Sequence, residues 1–129
     1  MTEPRLIRLL VVDDNDMVRF SLANCIGTED GLRVVGEAEN GQRAVELCHQ
    51  LQPDVVLMDL VMPEMDGVTA IRVIHKQHPH IVIVAVSSTI DNELIQAALE
   101  AGAATYVSKY APYDTLIDAI HKVTNGHSP

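Results

Sequence analysis

The sequence predicts one α/β domain of the doubly wound kind, and three observations carry that expectation. Short apolar runs rich in Val, Ile and Leu alternate five times with longer stretches whose apolar residues recur at i, i+3 and i+4. Turn and cap residues punctuate nearly every change of period. The chain has 129 residues, 47% of them apolar, which is enough for one buried core and little more. Strict strand–helix alternation implies a parallel sheet with right-handed crossovers and helices on both faces.

Each element can be justified in turn. Ile7–Val12 is the first strand and runs straight into Asp13 and Asp14. Asp16 is the expected N-cap of a helix over Met17–Ile26, with Gly27 as its stop. Leu32–Ala38 is the second strand, and Asn40 caps a second helix over Arg43–Leu51, after which Pro53 closes the loop. Val55–Met58 is wholly apolar, as a buried central strand should be, and stops at Asp59. Asp66-Gly67 starts the third helix, Val68–Gln77, with Pro79 in the loop beyond. The fourth strand, Ile81–Val86, ends at Ser87 and Ser88, and Asp91 caps the helix Glu93–Ala101, which Gly102 stops. Thr105–Val107 is the fifth strand and leads into Ser108 and Lys109. Pro112 suits the first turn of the last helix, Tyr113–Val123. Residues 1–124 form the expected domain, and Asn125–Pro129 reads as a tail.

Composition narrows the function. Nine basic against 18 acidic residues give a net charge of −9, the wrong sign for gripping nucleic acid or an anionic membrane unaided. Aromatic residues are only 3% of the chain, with no Trp, so base-stacking platforms are not expected. The apolar start of the chain is broken by Arg8 and followed at once by two acids, which suits neither a secretory leader nor a membrane span. Cys25 and Cys48 sit at helical spacing among apolar residues and read as reduced core thiols. A cytoplasmic protein is expected. His75, His78 and His80 read as a solvated helix end rather than a zinc site, because Pro79 breaks their spacing. Met58, Met62 and Met65 read as core or loop filler.

In an open α/β sheet, sites form beyond the carboxyl ends of the strands. Asp13, Asp14, Asp59, Ser87 and Lys109 all fall there. Three carboxylates in one cleft repel, by up to ~4 kcal/mol per pair at ~4 Å with an effective dielectric near 20. A divalent cation relieves that repulsion, and hard carboxylate oxygens select Mg2+ or Mn2+. Acids for a metal, a carboxylate free to attack and one Lys together suggest phosphoryl transfer through an aspartyl phosphate.

These residues carry a family resemblance. The motifs VVDDND at 11–16, DLVMPEMDG at 59–67, VAVSS at 84–88 and AGAATYVSK at 101–109 each stand at a strand end. In that order they make the chain resemble the receiver domain of bacterial two-component response regulators from Leu6 to about Val123. KYAPYDTL at 109–116 is similar to the NarL/FixJ branch, also called LuxR-type. The resemblance implies a flavodoxin-like (βα)5 fold with sheet order 2-1-3-4-5. It implies that Asp59 accepts phosphate from the phosphohistidine of a sensor histidine kinase. Asp14 and Asp59 would ligate Mg2+ directly, with the Val61 backbone carbonyl as a third ligand and Asp13 acting through water. Ser87 would hydrogen-bond the arriving phosphoryl group, Lys109 would pair with one of its oxygens, and Tyr106 would turn inward as the switch aromatic when Ser87 moves. A phosphorylation-dependent homodimer is implied too, and so is control of transcription through a helix-turn-helix domain outside this chain, in which case the tail begins a linker.

Two positions depart from the common pattern. Many receivers have Lys-Pro with a cis peptide after the fifth strand, whereas Tyr110 follows Lys109 here, and a cis bond before a non-proline residue costs about 3 kcal/mol. A trans bond is expected. Val61, two residues after Asp59, cannot hydrogen-bond an attacking water, so slow loss of the phosphoryl group is expected. Two rivals remain. A haloacid dehalogenase-type phosphatase needs a second acid where Val61 stands, and a cap domain for which there is no length. A phosphate-independent interaction module usually lacks an acid or the Lys, and this chain keeps them all. The expected protein is a switch, not an enzyme.

Overall fold

The computed structural model describes residues 6–125, so the first five residues and positions 126–129 of the expected tail lie outside the described residues. Five strands, β1 (Ile7–Val12), β2 (Leu32–Ala38), β3 (Val55–Asp59), β4 (Val82–Ser87) and β5 (Thr105–Ser108), alternate with five helices, α1 (Asp16–Gly27), α2 (Gly41–Leu51), α3 (Gly67–Gln77), α4 (Asn92–Ala101) and α5 (Tyr113–Asn125). The strands form one parallel sheet in the order β2-β1-β3-β4-β5, as expected.

Side chains alternate across the sheet because the strand period is two. Leu9, Val11, Val55, Leu57, Val84 and Val86 face one side, where Ala23 and Ile26 of α1 and Leu116, Ile117 and Ile120 of α5 cover them. Leu10, Val12, Val56, Met58, Ile83 and Ala85 face the other side, under α2, α3 and α4. β3 is buried over its full length, which explains why its sequence is apolar without alternation.

The structure corrects several local expectations. Asn15, not Asp16, caps α1: its side chain accepts from the Val18 N–H, while Asp16 lies inside the first turn. Asn40, Asp66 and Asp91 cap α2, α3 and α4 as expected. Gly27 is the last residue of α1, and Thr28 follows as its C-cap. Pro112 precedes α5 instead of lying in its first turn, and its carbonyl accepts from the Thr115 N–H at 2.9 Å. Asn125, expected in the tail, belongs to α5. Ser87 and Asp59 are the last residues of their strands, so the site residues there are held by the sheet rather than by loops.

Cys48 is buried, and burial pushes its thiol up to about 12. Cys25 is free as well but exposed, because its position on α1 turns away from the sheet. The histidine end is only partly solvated. His75 and His80 are exposed, but His78 is buried, with ring centroids 5.8 Å from His49 and 6.0 Å from His80. The reason is that His78 caps α3 and folds back against α2. Burial first, then the neighbouring imidazoles of His49 and His80, hold its pKa below the ordinary histidine value. Among the described residues, neither these three rings nor that of His75 form a group converging as metal ligands do. Met58 and Met62 are buried, and Met65 packs half-buried against the same core.

Candidate functional site

β1 and β3 are neighbours in the sheet, with Val12 opposite Met58, so the residues that follow each strand emerge side by side. Asp13 and Asp59 are almost wholly buried there, while Asp14 is exposed at the rim. One carboxylate oxygen from each of Asp13, Asp14 and Asp59 lies within 4.8 Å of the others. Among the described residues no other group of three His, Cys, Asp or Glu side chains converges in this way.

The fold fixes these acids through the main chain. Asp13 continues the ladder by donating its N–H to the Ala38 carbonyl at 3.1 Å, and its Oδ1 accepts from the Asn15 N–H at 2.9 Å. Asp59 Oδ1 accepts from the Val61 N–H at 3.3 Å. Gly67 lets the start of α3 close over the acid: a Cβ there would stand 2.1 Å from the Asp59 carbonyl oxygen. That is a contact requirement, met only by a residue without a side chain. The Asp-Gly pair thus does more than start a helix.

Lys109 reaches in from the end of β5. Its ammonium lies 2.6 Å from Asp13 Oδ2 and 3.4 Å from Asp59 Oδ2, and its backbone N–H donates to the Ser87 carbonyl at 3.0 Å. The peptide after Lys109 is trans, as expected. Desolvation works against its charge, but the hydrogen bond to Asp13 and the charge of Asp59 prevail and raise its pKa. Asp59 is pushed up to about 6, chiefly by burial; Lys109 pulls it down, and Asp13 pushes it further up. One Lys against three acids leaves excess negative charge in a pocket of hard oxygen donors. That donor set suits a small divalent cation such as Mg2+.

Ser87 is buried at the end of β4, its Oγ accepting from the Thr89 N–H at 3.3 Å, and Ser88 is an exposed loop residue. Tyr106 is half-buried, with its hydroxyl placed to donate to the Ser87 carbonyl (2.9 Å) and the Thr89 carbonyl (3.0 Å). Tyr106 therefore already lies against the β4–α4 loop. Val61 is 61% exposed and offers the site only its main chain. An apolar cleft of about 560 Å3 opens between α1 and α5; it shares Lys109 with the site and holds none of the three acids.

One residue of the site escapes sequence reasoning. Arg19 is buried under the β1–α1 turn and donates to the Asp13 carbonyl at 2.8 Å. A basic residue in the first turn of a helix reads as surface. The clue was its place among Met17, Val18 and Phe20, three apolar residues that are in fact exposed.

Against known proteins, the response regulator receiver domain profile matches residues 9–121. The chain belongs to this receiver family. It is 38% identical over 122 residues to the response regulator protein VraR of Staphylococcus aureus, covering 95% of this chain and 58% of VraR. The receiver thus spans under two-thirds of the length of that relative. The signal receiver domain of the putative response regulator NarL from Mycobacterium tuberculosis superposes with a TM-score of 0.90 at 27% identity, over 96% of this chain and all of the other. Together these likenesses bear out the NarL/FixJ branch. The CheX-CheY-BeF3-Mg2+ complex from Borrelia burgdorferi matches with a TM-score of 0.83 at 26% identity, over 92% of the receiver and 89% of that chain.

Proposed function

We propose that this receiver is a phosphorylation-operated switch in which Asp59 accepts a phosphoryl group from the phosphohistidine of a sensor histidine kinase. The observation that carries the reading is a buried Asp59 flanked by Lys109 at 3.4 Å and sharing one pocket with Asp13 and Asp14. Asp14 and Asp59, with the Val61 carbonyl and with Asp13 through water, would hold Mg2+; Mn2+ has the same donor preference. Bound there, the cation would neutralise charge on the phosphoryl oxygens and on the acids around them. The related CheX-CheY complex contains Mg2+ together with BeF3, which supports the same pairing of cation and phosphoryl group here.

An Asp59 carboxylate oxygen attacks phosphorus, a P–O bond forms, and the P–N bond to the kinase imidazole breaks. The electron pair returns to the imidazole nitrogen, which takes a proton from solvent. Lys109 answers one phosphoryl oxygen, and the Ser87 hydroxyl leaves Thr89 to answer another. That movement is felt at once by Tyr106, whose hydroxyl is bonded to the carbonyls of Ser87 and Thr89. The binding energy of the phosphoryl group is thereby used to shift the β4–α4 loop between two states.

Residues 1–124 form this unit, acting in the cytoplasm, with a phosphorylation-dependent homodimer and transcriptional control through a helix-turn-helix domain outside this chain. A phosphatase of the haloacid dehalogenase type is disfavoured by exposed, apolar Val61 where that chemistry needs an acid. The switch makes no turnover product of its own. Incubation with Mg2+ and acetyl phosphate should add one phosphoryl mass to the wild type and none to Asp59→Asn. No Mg2+-dependent addition at Asp59 would sink the reading, and sustained release of phosphate from a phosphomonoester would favour the phosphatase.

A further inference from the structure

Arg19 is 7% exposed, and burying a guanidinium is costly unless its N–H groups are answered. Here they are. Nη1 donates to the Asp13 carbonyl at 2.8 Å and Nη2 to Asp16 Oδ1 at 2.7 Å. Nε lies 3.3 Å from Glu37 Oε1, an ion pair that is not aligned as a hydrogen bond. The guanidinium carbon stands 5.0 Å from the centre of the Phe20 ring.

These partners divide the work of the side chain. Asp16 and Glu37 take up the charge, while the main-chain bond goes to Asp13 at the point where β1 leaves the sheet. Asp13 N–H still belongs to the ladder, through Ala38, but its carbonyl is taken by Arg19. The Val12–Asp13 peptide is thus held by its N–H on Ala38, and the next plane, between Asp13 and Asp14, by its carbonyl on Arg19. That plane sets the directions in which the two carboxylates leave the backbone, since they belong to consecutive residues.

We infer that Arg19 is a positioning residue for the cation site: it pins the Asp13–Asp14 peptide so that both carboxylates converge on Asp59. The inference rests on the Mg2+ reading above. It differs in sign from a simple charge effect. A cation close to three acids opposes a second cation, so removing it should tighten Mg2+ binding if charge were all that mattered. Removing a clamp should weaken it.

The test is a titration of the intact chain with Mg2+ alone, followed by amide NMR shifts of Asp13, Asp14 and Asn15, for wild type, Arg19→Lys and Arg19→Met. Far-UV circular dichroism reports folding of each at the titration temperature. Both variants should bind Mg2+ about tenfold more weakly, the usual scale for loss of a group that orients a metal ligand. Arg19→Lys keeps the charge and most of the stem, so it carries the test if Arg19→Met fails to fold. Unchanged affinity in folded Arg19→Lys, or tighter binding in folded Arg19→Met, overturns the inference while leaving the Mg2+ reading in place. No Mg2+ binding by the wild type overturns the reading itself, and the inference with it.

Discussion

The two ends of the sheet treat charge in opposite ways. At the amino end, Arg8 donates its guanidinium to the Leu51 and Gln52 carbonyls at 2.9 and 2.8 Å, capping the last turn of α2. Its backbone N–H donates to Asp54 Oδ2 at 2.9 Å, and the Asp54 main chain bridges β1 and β4. Helix carbonyls, a cation and a carboxylate answer one another, with the buried Nε2 of His78 as an unpartnered exception nearby. At the carboxyl end, three acids converge on one another, and one Lys pairs with two of them. Polar groups at the first end are answered within the chain and stabilise the fold, whereas those at the second leave charge for something else to answer. The difference marks the carboxyl end as the candidate site, since functional sites are where local rules of charge balance are broken.

The largest effect that could break this contrast lies in the acid dependence of Asp59. Its pKa rises from 3.8 to about 6 on folding, so the fold favours the protonated acid. The stability this contributes is complete below about 3.8 and is lost as pH climbs to about 6, amounting to on the order of 3 kcal/mol. Urea unfolding without Mg2+ should therefore show wild type losing stability relative to Asp59→Asn between those pH values. The variant should be the more stable of the two at neutral pH. Added Mg2+ should narrow that gap by binding only the folded wild-type site. A wild type and variant that stay parallel across this window would mean that the carboxyl end is as well balanced as the amino end.

Arg8→Met probes the other end with a smaller effect. Losing the two donors to the α2 carbonyls should cost about 1 kcal/mol in chemical denaturation, because the bonds are only partly buried. Mg2+ affinity should not change, since the link from Arg8 to the acids runs only along the strand between them. A shift in Mg2+ affinity with Arg8→Met would show that the two ends are coupled through β1.

Most of the fold and much of the site could be read from residue order, for a physical reason. A strand buried on both faces must be apolar along its length, so Val55–Met58 stands out, and the polar residue that ends it is a candidate site residue by position alone. Asp13, Asp14, Asp59, Ser87 and Lys109 were legible in that way. Arg19 was not, because a buried Arg looks like a surface one until its partners are known; two of them, Glu37 and the Asp13 carbonyl, come from other elements. The same holds for Gly67, whose need to be small comes from the carbonyl of Asp59 across the loop. Asn15 rather than Asp16 is the cap, with Asp16 turned to Arg19 instead, and His78 is buried against α2, which its own sequence neighbours do not announce. Local signals survive in the sequence, while contacts between elements have to be seen.

Val61 supplies the smallest effect and the finest test of the contrast. It sits at the charged end yet its side chain carries no charge and is 61% exposed; only its main chain meets the site, its N–H holding Asp59 Oδ1. Val61→Asn should thus leave stability within about 0.5 kcal/mol of wild type, as exposed substitutions generally do. On the phosphorylated protein the outcome should differ, because an amide beside the phosphoryl group can orient a water for in-line attack on phosphorus and a valine cannot. The lifetime of the aspartyl phosphate, followed by intact mass after removal of the phosphodonor, should shorten several-fold. Equal lifetimes would mean that water access is governed elsewhere, with Lys109 and the buried floor of Asp13 and Ser87 as the remaining candidates. An imbalance of charge would then suffice to build the pocket without also setting how long its product lasts.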